Sequence, residues 1–273
     1  MVIKNHLLVP FLTGQRRDGL ARVNDVSPQQ WQVLDVPEFV EGKINDANEK
    51  LRRMGQIYAL HAHAVRQILE RGGRPVTIAG DCFSALGTLA GLQMAGNLPD
   101  RILWLDAHGD FHTWGTTHTK YLGGMPLAML VGKRDRRKDS RDSVGAFLDA
   151  IGIQAFPEEK IILSDARDLD LGEKESLESS RISICKIEDV HKHLLPGENI
   201  YLHFDTDVID DKAKLPALKY HVKQGPSHAE IRALFTYLRQ YKLVAISISA
   251  WHEEDDLDNK TAIACLNLLK ELE

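Results

Sequence analysis

Short apolar runs at residues 6–10, 75–79, 101–105, 160–163, 182–187, 199–204 and 243–249 alternate with longer stretches of helical periodicity. No other feature constrains the fold as much. Apolar residues recur at i, i+3 and i+4 through 45–71, and helical patterns continue at 84–93, 227–241 and 260–272. Buried strands separated by helices build a parallel sheet flanked by helices, an α/β fold. Ser227 is placed to cap the helix that follows it, with Glu230 three residues on completing a capping box.

Composition is that of an ordinary globular chain: 273 residues, 43% hydrophobic and 27% charged. No internal repeat, low-complexity stretch or Pro/Gly/Ser-rich linker interrupts it, so residues 1–273 are expected to form a single α/β domain. A net charge of -5 does not suggest a nucleic-acid surface, which would need a basic face. The local strip Lys133-Arg134-Asp135-Arg136-Arg137-Lys138 reads as a solvated loop. No apolar run approaches the ~18 residues of a membrane span, and Met1-Val2-Ile3-Lys4-Asn5-His6 lacks the shape of a signal peptide. Three cysteines make no disulfide framework, and Cys185 and Cys265 sit in apolar periodic segments. These features suggest a soluble, cytoplasmic protein.

In parallel α/β sheets, ligands bind beyond the carboxyl ends of the strands. Three of these ends are chemically loaded: Gly80-Asp81-Cys82, Asp106 to Asp110, and Asp205 to Asp207. Alternation along an extended segment places Asp106, His108 and Asp110 on one side, and likewise His203, Asp205 and Asp207. So many neighbouring carboxylates raise one another's pKa unless a cation lies among them. One Asp-x-His alone is ordinarily a capped loop or a surface salt bridge. Two acidic clusters, each directly after a buried strand, point to a metal site, and carboxylates bridging two ions around a water are a recurring hydrolytic arrangement.

Motifs in the same order and spacing extend this reading. Asp81-Cys82-Phe83-Ser84, Trp104-Leu105-Asp106-Ala107-His108-Gly109-Asp110, Gly124-Met125-Pro126 and Phe204-Asp205-Thr206-Asp207-Val208-Ile209-Asp210 resemble those of the ureohydrolases, the arginase, agmatinase and formiminoglutamase group. Ala166-Arg167-Asp168-Leu169-Asp170 and Asp258-Asn259-Lys260-Thr261-Ala262 fit as well. The resemblance implies a three-layer α/β/α sandwich with a mainly parallel sheet, a small-molecule substrate, a homo-oligomer and two Mn²⁺ ions with a bridging hydroxide that attacks a guanidinium or amidine carbon. By the same resemblance Asp106 and Asp205 contact both ions. Asp110 binds the first ion and the hydroxide, and His108 and Asp207 bind the second.

Three positions depart from the pattern. Cys82 replaces a histidine ligand of the first ion, Gly123 a histidine assigned to proton shuttling, and Ala250 the glutamate that grips the guanidinium. As a thiolate ligand Cys82 favours Zn²⁺ over Mn²⁺. Alternatively it is a small buried thiol, which leaves Asp106, His108 and Asp207 around one Zn²⁺, an arrangement that resembles the related deacetylases. His112 and His118, in the loop after the first cluster, are candidates for the missing proton carrier, with His203 and His252 behind them. His61 and His63, or His191 and His193, fall on different sides of their helices and are set aside as ligands. The run Glu253-Glu254-Asp255-Asp256 reads first as a solvated loop. The expected activity is metal-dependent hydrolysis of a C–N bond in a linear amidine, guanidine or amide, with Asp110 positioning the water. Arginine and agmatine are disfavoured by the loss of the gripping glutamate. The alternative is a non-catalytic relative with a structural or regulatory role.

Overall fold

The computed structural model describes residues 5–37, 44–134, 143–212 and 214–272. Its strands are β1 (His6–Val9), β2 (Phe11–Leu12), β3 (Gln15–Arg16), β4 (Gln32–Val33), β5 (Val76–Ala79), β6 (Arg101–Leu105), β7 (Ile161–Ser164), β8 (Ser183–Cys185), β9 (Asn199–Asp205) and β10 (Lys242–Ser249). β2 and β3 pair as an antiparallel hairpin, and the other eight form one sheet in the order β4-β1-β5-β10-β9-β6-β7-β8. Every pairing in that sheet is parallel. The expected α/β class is therefore the observed one.

The helices are α1 (Val23–Val26), α2 (Ala47–Glu70), α3 (Phe83–Met94), α4 (Pro126–Leu130), α5 (Ser143–Ile151), α6 (Leu171–Glu178), α7 (His228–Leu238) and α8 (Lys260–Leu269). Alternate strand residues face opposite layers. Ile102, Trp104 and Tyr201 pack with Met54 of α2, Phe83 of α3 and Phe147 of α5. Leu103, Leu105, Leu202, Phe204 and Ile248 pack with Phe235 of α7 and Leu268 of α8. The result is three layers, helices over each face of the sheet. Fully burying a side chain of this size contributes about 1.5–3 kcal/mol, so both faces of every central strand must be apolar. That is why these strands read as nearly continuous apolar runs. Among the described residues no helix is long and apolar enough to cross a membrane.

The sequence reading missed the short elements. β4 and the β2–β3 hairpin have two residues per strand, too few to show a period. α6 has a largely exposed, polar sequence, LGEKESLE. Of the basic strip, Lys133 lies 3.8 Å from Glu158 and over the Phe111 ring. Residues 135–138 of the strip lie outside the described residues. His61 is buried inside α2 with Nε2 3.0 Å from Thr77 Oγ1.

Register fixes where the chemistry can sit. Leu105 lies level with Phe204, and Ser249 with both Asp205 and Ala79. The residues just beyond β5, β10, β9 and β6, four adjacent central strands, therefore meet at one end of the sheet. α7 is entered through the expected capping box: Ser227 Oγ accepts from Glu230 N at 3.3 Å, and Glu230 Oε2 accepts from Ser227 N at 2.7 Å. Ser227→Ala removes one half of that exchange. We expect a loss of about 1 kcal/mol in urea denaturation, with the slope unchanged; an unaltered midpoint contradicts it.

Candidate metal centre

The loop after β6 does not stay extended, as simple alternation would have it. Asp106 accepts from Trp104 Nε1 at 3.1 Å and from His108 N at 2.7 Å. Ala107 O accepts from Arg167 N and Asp168 N, which ties the loop to the end of β7. Asp110 then turns into the left-handed region at φ 50°, and its carbonyl accepts from Leu127 N and Ala128 N at the start of α4. Non-glycine residues adopt that conformation only where surroundings hold them. Here the α4 N-terminus does the holding, and Asp110 is turned toward the cluster.

The β9 end is built to meet it. Asp205 Oδ1 accepts from Asp207 N at 2.9 Å and starts the 3-10 turn Thr206–Val208. Asp207 Oδ1 accepts from Ala107 N at 3.2 Å, which locks the two acidic loops together. Arg167 donates to the carbonyls of Asp165, Val208 and Val222 and fixes the far side of that turn. At the end of β5, Asp81 spends its oxygens on Thr13 N, Tyr58 OH and Phe83 N. It anchors the loop, while the next residue, Cys82, points into the cluster and donates to Asp205 Oδ2 at 3.0 Å.

The four aspartates are withdrawn from water, at 0% exposure for Asp106, 4% for Asp110, 6% for Asp205 and 2% for Asp207. Burial and the neighbouring negative charges push Asp110 and Asp207 well above the carboxylate range, and lift Asp205 to about 6. Asp106 goes the other way: burial opposes its charge, but the bond and charge of His108 outweigh that. His108 Nδ1 sits 3.4 Å from Asp106 and 3.1 Å from Asp207. Burial disfavours a charged ring there, yet the two carboxylates raise it to about 12. Cys82 is held as a thiol by burial and the surrounding aspartates. One imidazolium among four buried carboxylates leaves the cluster short of positive charge.

The donor set fits a metal. Cys82, Asp106 and His203 offer ligand atoms within 4.8 Å of one another, and so do Asp106, His108 and Asp207. Asp110 Oδ2 and His203 Nε2 are buried without a hydrogen-bond partner, a state that costs about 1–3 kcal/mol for each polar group left so. A cation among these atoms relieves both the repulsion and the unmet donors.

Cys82, Asp106, His108, Asp110, Asp205 and Asp207 line a cavity of about 490 Å³. His112 is on its wall, with Nε2 3.4 Å from Asp170 and 3.7 Å from Glu173. His118 is exposed, and the described lining contains its neighbour Thr119 instead. His252 lies off the wall, its ring 6.0 Å from that of Tyr220. Gly123 is on the wall, and a Cβ there would collide with the Tyr121 ring. The phenols of Tyr121 and Tyr220 meet at 3.0 Å in that region. Ala250 is fully buried at the end of β10. Glu253 and Asp256 of the acidic run are also buried: Glu253 pairs with Arg17, and Asp256 accepts from Thr261 N and Ala262 N. The expected solvated loop is thus half structural, because its carboxylates cap α8 and hold the hairpin side of the fold.

Glu173 and Lys219 went unnoticed in the sequence. Glu173 lies in polar α6, away from any strand end, yet it is buried and accepts from Phe111 N at 2.8 Å. Lys219 is 4% exposed, lines the cavity and donates to Gly80 O at 2.8 Å. A charged side chain in an irregular segment carries no periodic signal of burial.

Burial raises Glu173 from 4.5 to about 7, against the pull of the Phe111 N–H. The folded state therefore binds more protons than the unfolded chain between those values, so stability falls as pH rises across the window and then levels off. Glu173→Gln keeps the acceptor for Phe111 and removes the titration. In metal-free protein the variant should lack that decline, the gap reaching on the order of 3 kcal/mol by pH 8. Parallel pH–stability profiles for the two proteins would contradict this.

The family model described as Arginase family matches residues 16–272. An arginase from Bacillus subtilis (strain 168) is 27% identical over 272 residues, covering 93% of this chain and 87% of that protein. An N(omega)-hydroxy-L-arginine amidinohydrolase from Streptomyces lavendulae is 28% identical over 179 residues, covering 64% of this chain and 59% of that protein. The native structure of arginase from Bacillus caldovelox superposes with a TM-score of 0.79 at 23% identity, covering 97% of this chain and 96% of the other. With its acidic strand ends converging on one cavity, the chain belongs to the arginase family.

Proposed function

We propose that the protein is a metal-dependent hydrolase of a C–N bond in a linear guanidine, amidine or amide other than arginine. The observation that carries this is the convergence of Asp106, His108, Asp110, Asp205 and Asp207, all lining one cavity at the carboxyl ends of β6 and β9. Bound metal supplies the Lewis acidity that makes water a nucleophile near neutral pH. Asp110, with Oδ2 buried and free of other partners, holds a proton of the attacking water and orients it. His112 and Glu173, 3.7 Å apart, supply the proton to the leaving amine in place of a side chain at 123. Glu173, raised to about 7, is poised to exchange a proton near neutrality. We retain two Mn²⁺ ions as the first expectation and one Zn²⁺ as the alternative.

The substrate wall argues against arginine. Ala250 brings no charge, and the buried ammonium of Lys219 lines the cavity beside Asp81 and Cys82. Close to Lys219 a cationic group is disfavoured, whereas a carbonyl or carboxylate oxygen is attracted. That pattern fits a neutral or acid-bearing substrate. The named hydroxy-arginine relative illustrates that substrates vary among proteins similar to this one.

The test is a turnover screen of guanidines, amidines and linear amides with Mn²⁺- or Zn²⁺-loaded protein, following ammonia, amine and urea release. We expect turnover of a non-arginine compound. Asp106→Asn should lower it by more than the about 10–100-fold typical of an outer-shell change, with the circular dichroism spectrum preserved. Efficient arginine hydrolysis would overturn the specificity reading. If no compound is turned over and Asp106→Asn impairs only assembly or folding, the non-catalytic alternative holds.

A further inference from the structure

The central strands hold an imidazole that the metal ligands carried over from the arginase family leave unused. His203 lies on β9, in register with Trp104 on β6 and Ser247 on β10. Its ring centroid is 4.1 Å from that of Trp104, whose Nε1 donates to Asp106. On the other side Nδ1 lies 2.7 Å from Ser247 Oγ, and the Tyr201 hydroxyl meets the same oxygen. The ring is fully buried and held from both flanks. When Nδ1–H donates to Ser247, Nε2 presents its lone pair, the arrangement in which a metal-bound histidine is ordinarily oriented by its other nitrogen. Nε2 has no hydrogen-bond partner, and a nitrogen of the ring lies within 4.8 Å of Cys82 Sγ and of an Asp106 oxygen.

We infer that Cys82 Sγ, His203 Nε2 and the Asp106 carboxylate form one metal site, with Asp106 shared with a second site made by His108 and Asp207. The histidine absent at position 82 is thus replaced from β9, two strands away in the sheet, and a thiolate is added. The two sites differ in chemistry. Sulfur with imidazole selects a zinc-like ion, whereas the imidazole-dicarboxylate site accepts harder ions. On binding, the Cys82 proton leaves to solvent and the Cys82–Asp205 hydrogen bond gives way to the Cys82–metal bond. This rests on the metallohydrolase reading above, but its test reads metal coordination rather than turnover.

Purified full-length protein is stripped and titrated with Co²⁺, following bound metal by elemental analysis and the thiolate-to-cobalt charge-transfer band in the near ultraviolet. Two ions per chain and a sulfur band are expected. Cys82→Ser should abolish the band. His203→Ala should lose one of the two ions or weaken it at least tenfold, while the ion at His108 and Asp207 remains. Because His203 is buried, a second measurement avoids altering it: His108→Ala, loaded with one equivalent of Zn²⁺, examined by X-ray absorption. One sulfur together with imidazole scattering is expected, since His203 is then the imidazole within reach. Sulfur with oxygen alone overturns the inference, as does a His203→Ala protein that keeps both ions and the band unchanged. Those results leave the hydrolase reading standing if the wild type binds metal and turns over substrate. A wild type that binds neither Co²⁺ nor Zn²⁺ sinks both.

Discussion

The organising constraint is electrostatic: buried carboxylates are held face to face at the ends of two adjacent parallel strands. Left to themselves such groups separate or protonate. The fold prevents separation with a hydrogen bond between the two loops, in which Ala107 N reaches Asp207, and with a local one, in which Asp207 N reaches Asp205. Around these, Arg167 braces the carbonyls beyond β9, and the α4 N-terminus holds Asp110 in its left-handed turn. Much of the polar structure at this end of the sheet exists to keep like charges together. That is a cost the apolar faces of the sheet must cover, and it is intelligible where a cation completes the cluster.

The departures from the family pattern look less like erosion once neighbours are considered. At two of the altered positions another side chain lies close to the place concerned. His203 brings an imidazole to the side where Cys82 stands. The Tyr121 ring lies where a side chain at 123 would extend, and Glu173 with His112 sets titratable groups on the opposite wall. Lys219 faces the cavity near the end of β5 while Ala250, at the end of β10, is neutral. Changes paired across strands reshape a pocket. Unpaired ones would leave holes or orphaned charges, which a close-packed interior tolerates poorly.

Legibility in the sequence followed periodicity. β5, β6, β9 and β10 were visible because both their faces are buried, which makes them apolar throughout, and the carboxylates stood out against those runs. The pairing of Asp106 with Asp205 followed from their common position at strand ends. Geometry beyond the strands did not follow, because a two-residue period stops where the backbone turns: Asp110 reaches the cluster through a positive φ, not through alternation. Glu173 and Lys219 were hidden for a related reason. Their burial is imposed by tertiary contacts of a polar helix and an irregular loop, and no local pattern records it. His203 was legible as a residue on the right face, but its likeness to a ligand needed the register with Ser247 and the free Nε2.

Energetics also bear on whether the cluster persists for catalysis or as scaffold. Without a cation, ionised Asp110 and Asp207 each oppose Asp106 and Asp205 inside the protein, and asparagine at either place would remove that opposition at nearly the same volume. A chain under no demand to bind metal gains stability from such a change. This one has Asp106, Asp110, Asp205 and Asp207 together, while the positions that depart from the resemblance are Cys82, Gly123 and Ala250. Metal that binds the folded state and not the unfolded one stabilises it by mass action, so the cluster's internal repulsion becomes the source of its affinity. What separates the two readings, enzyme and structural relative, is the cavity, whose wall sets Asp110, His112 and Glu173 around space for a small molecule.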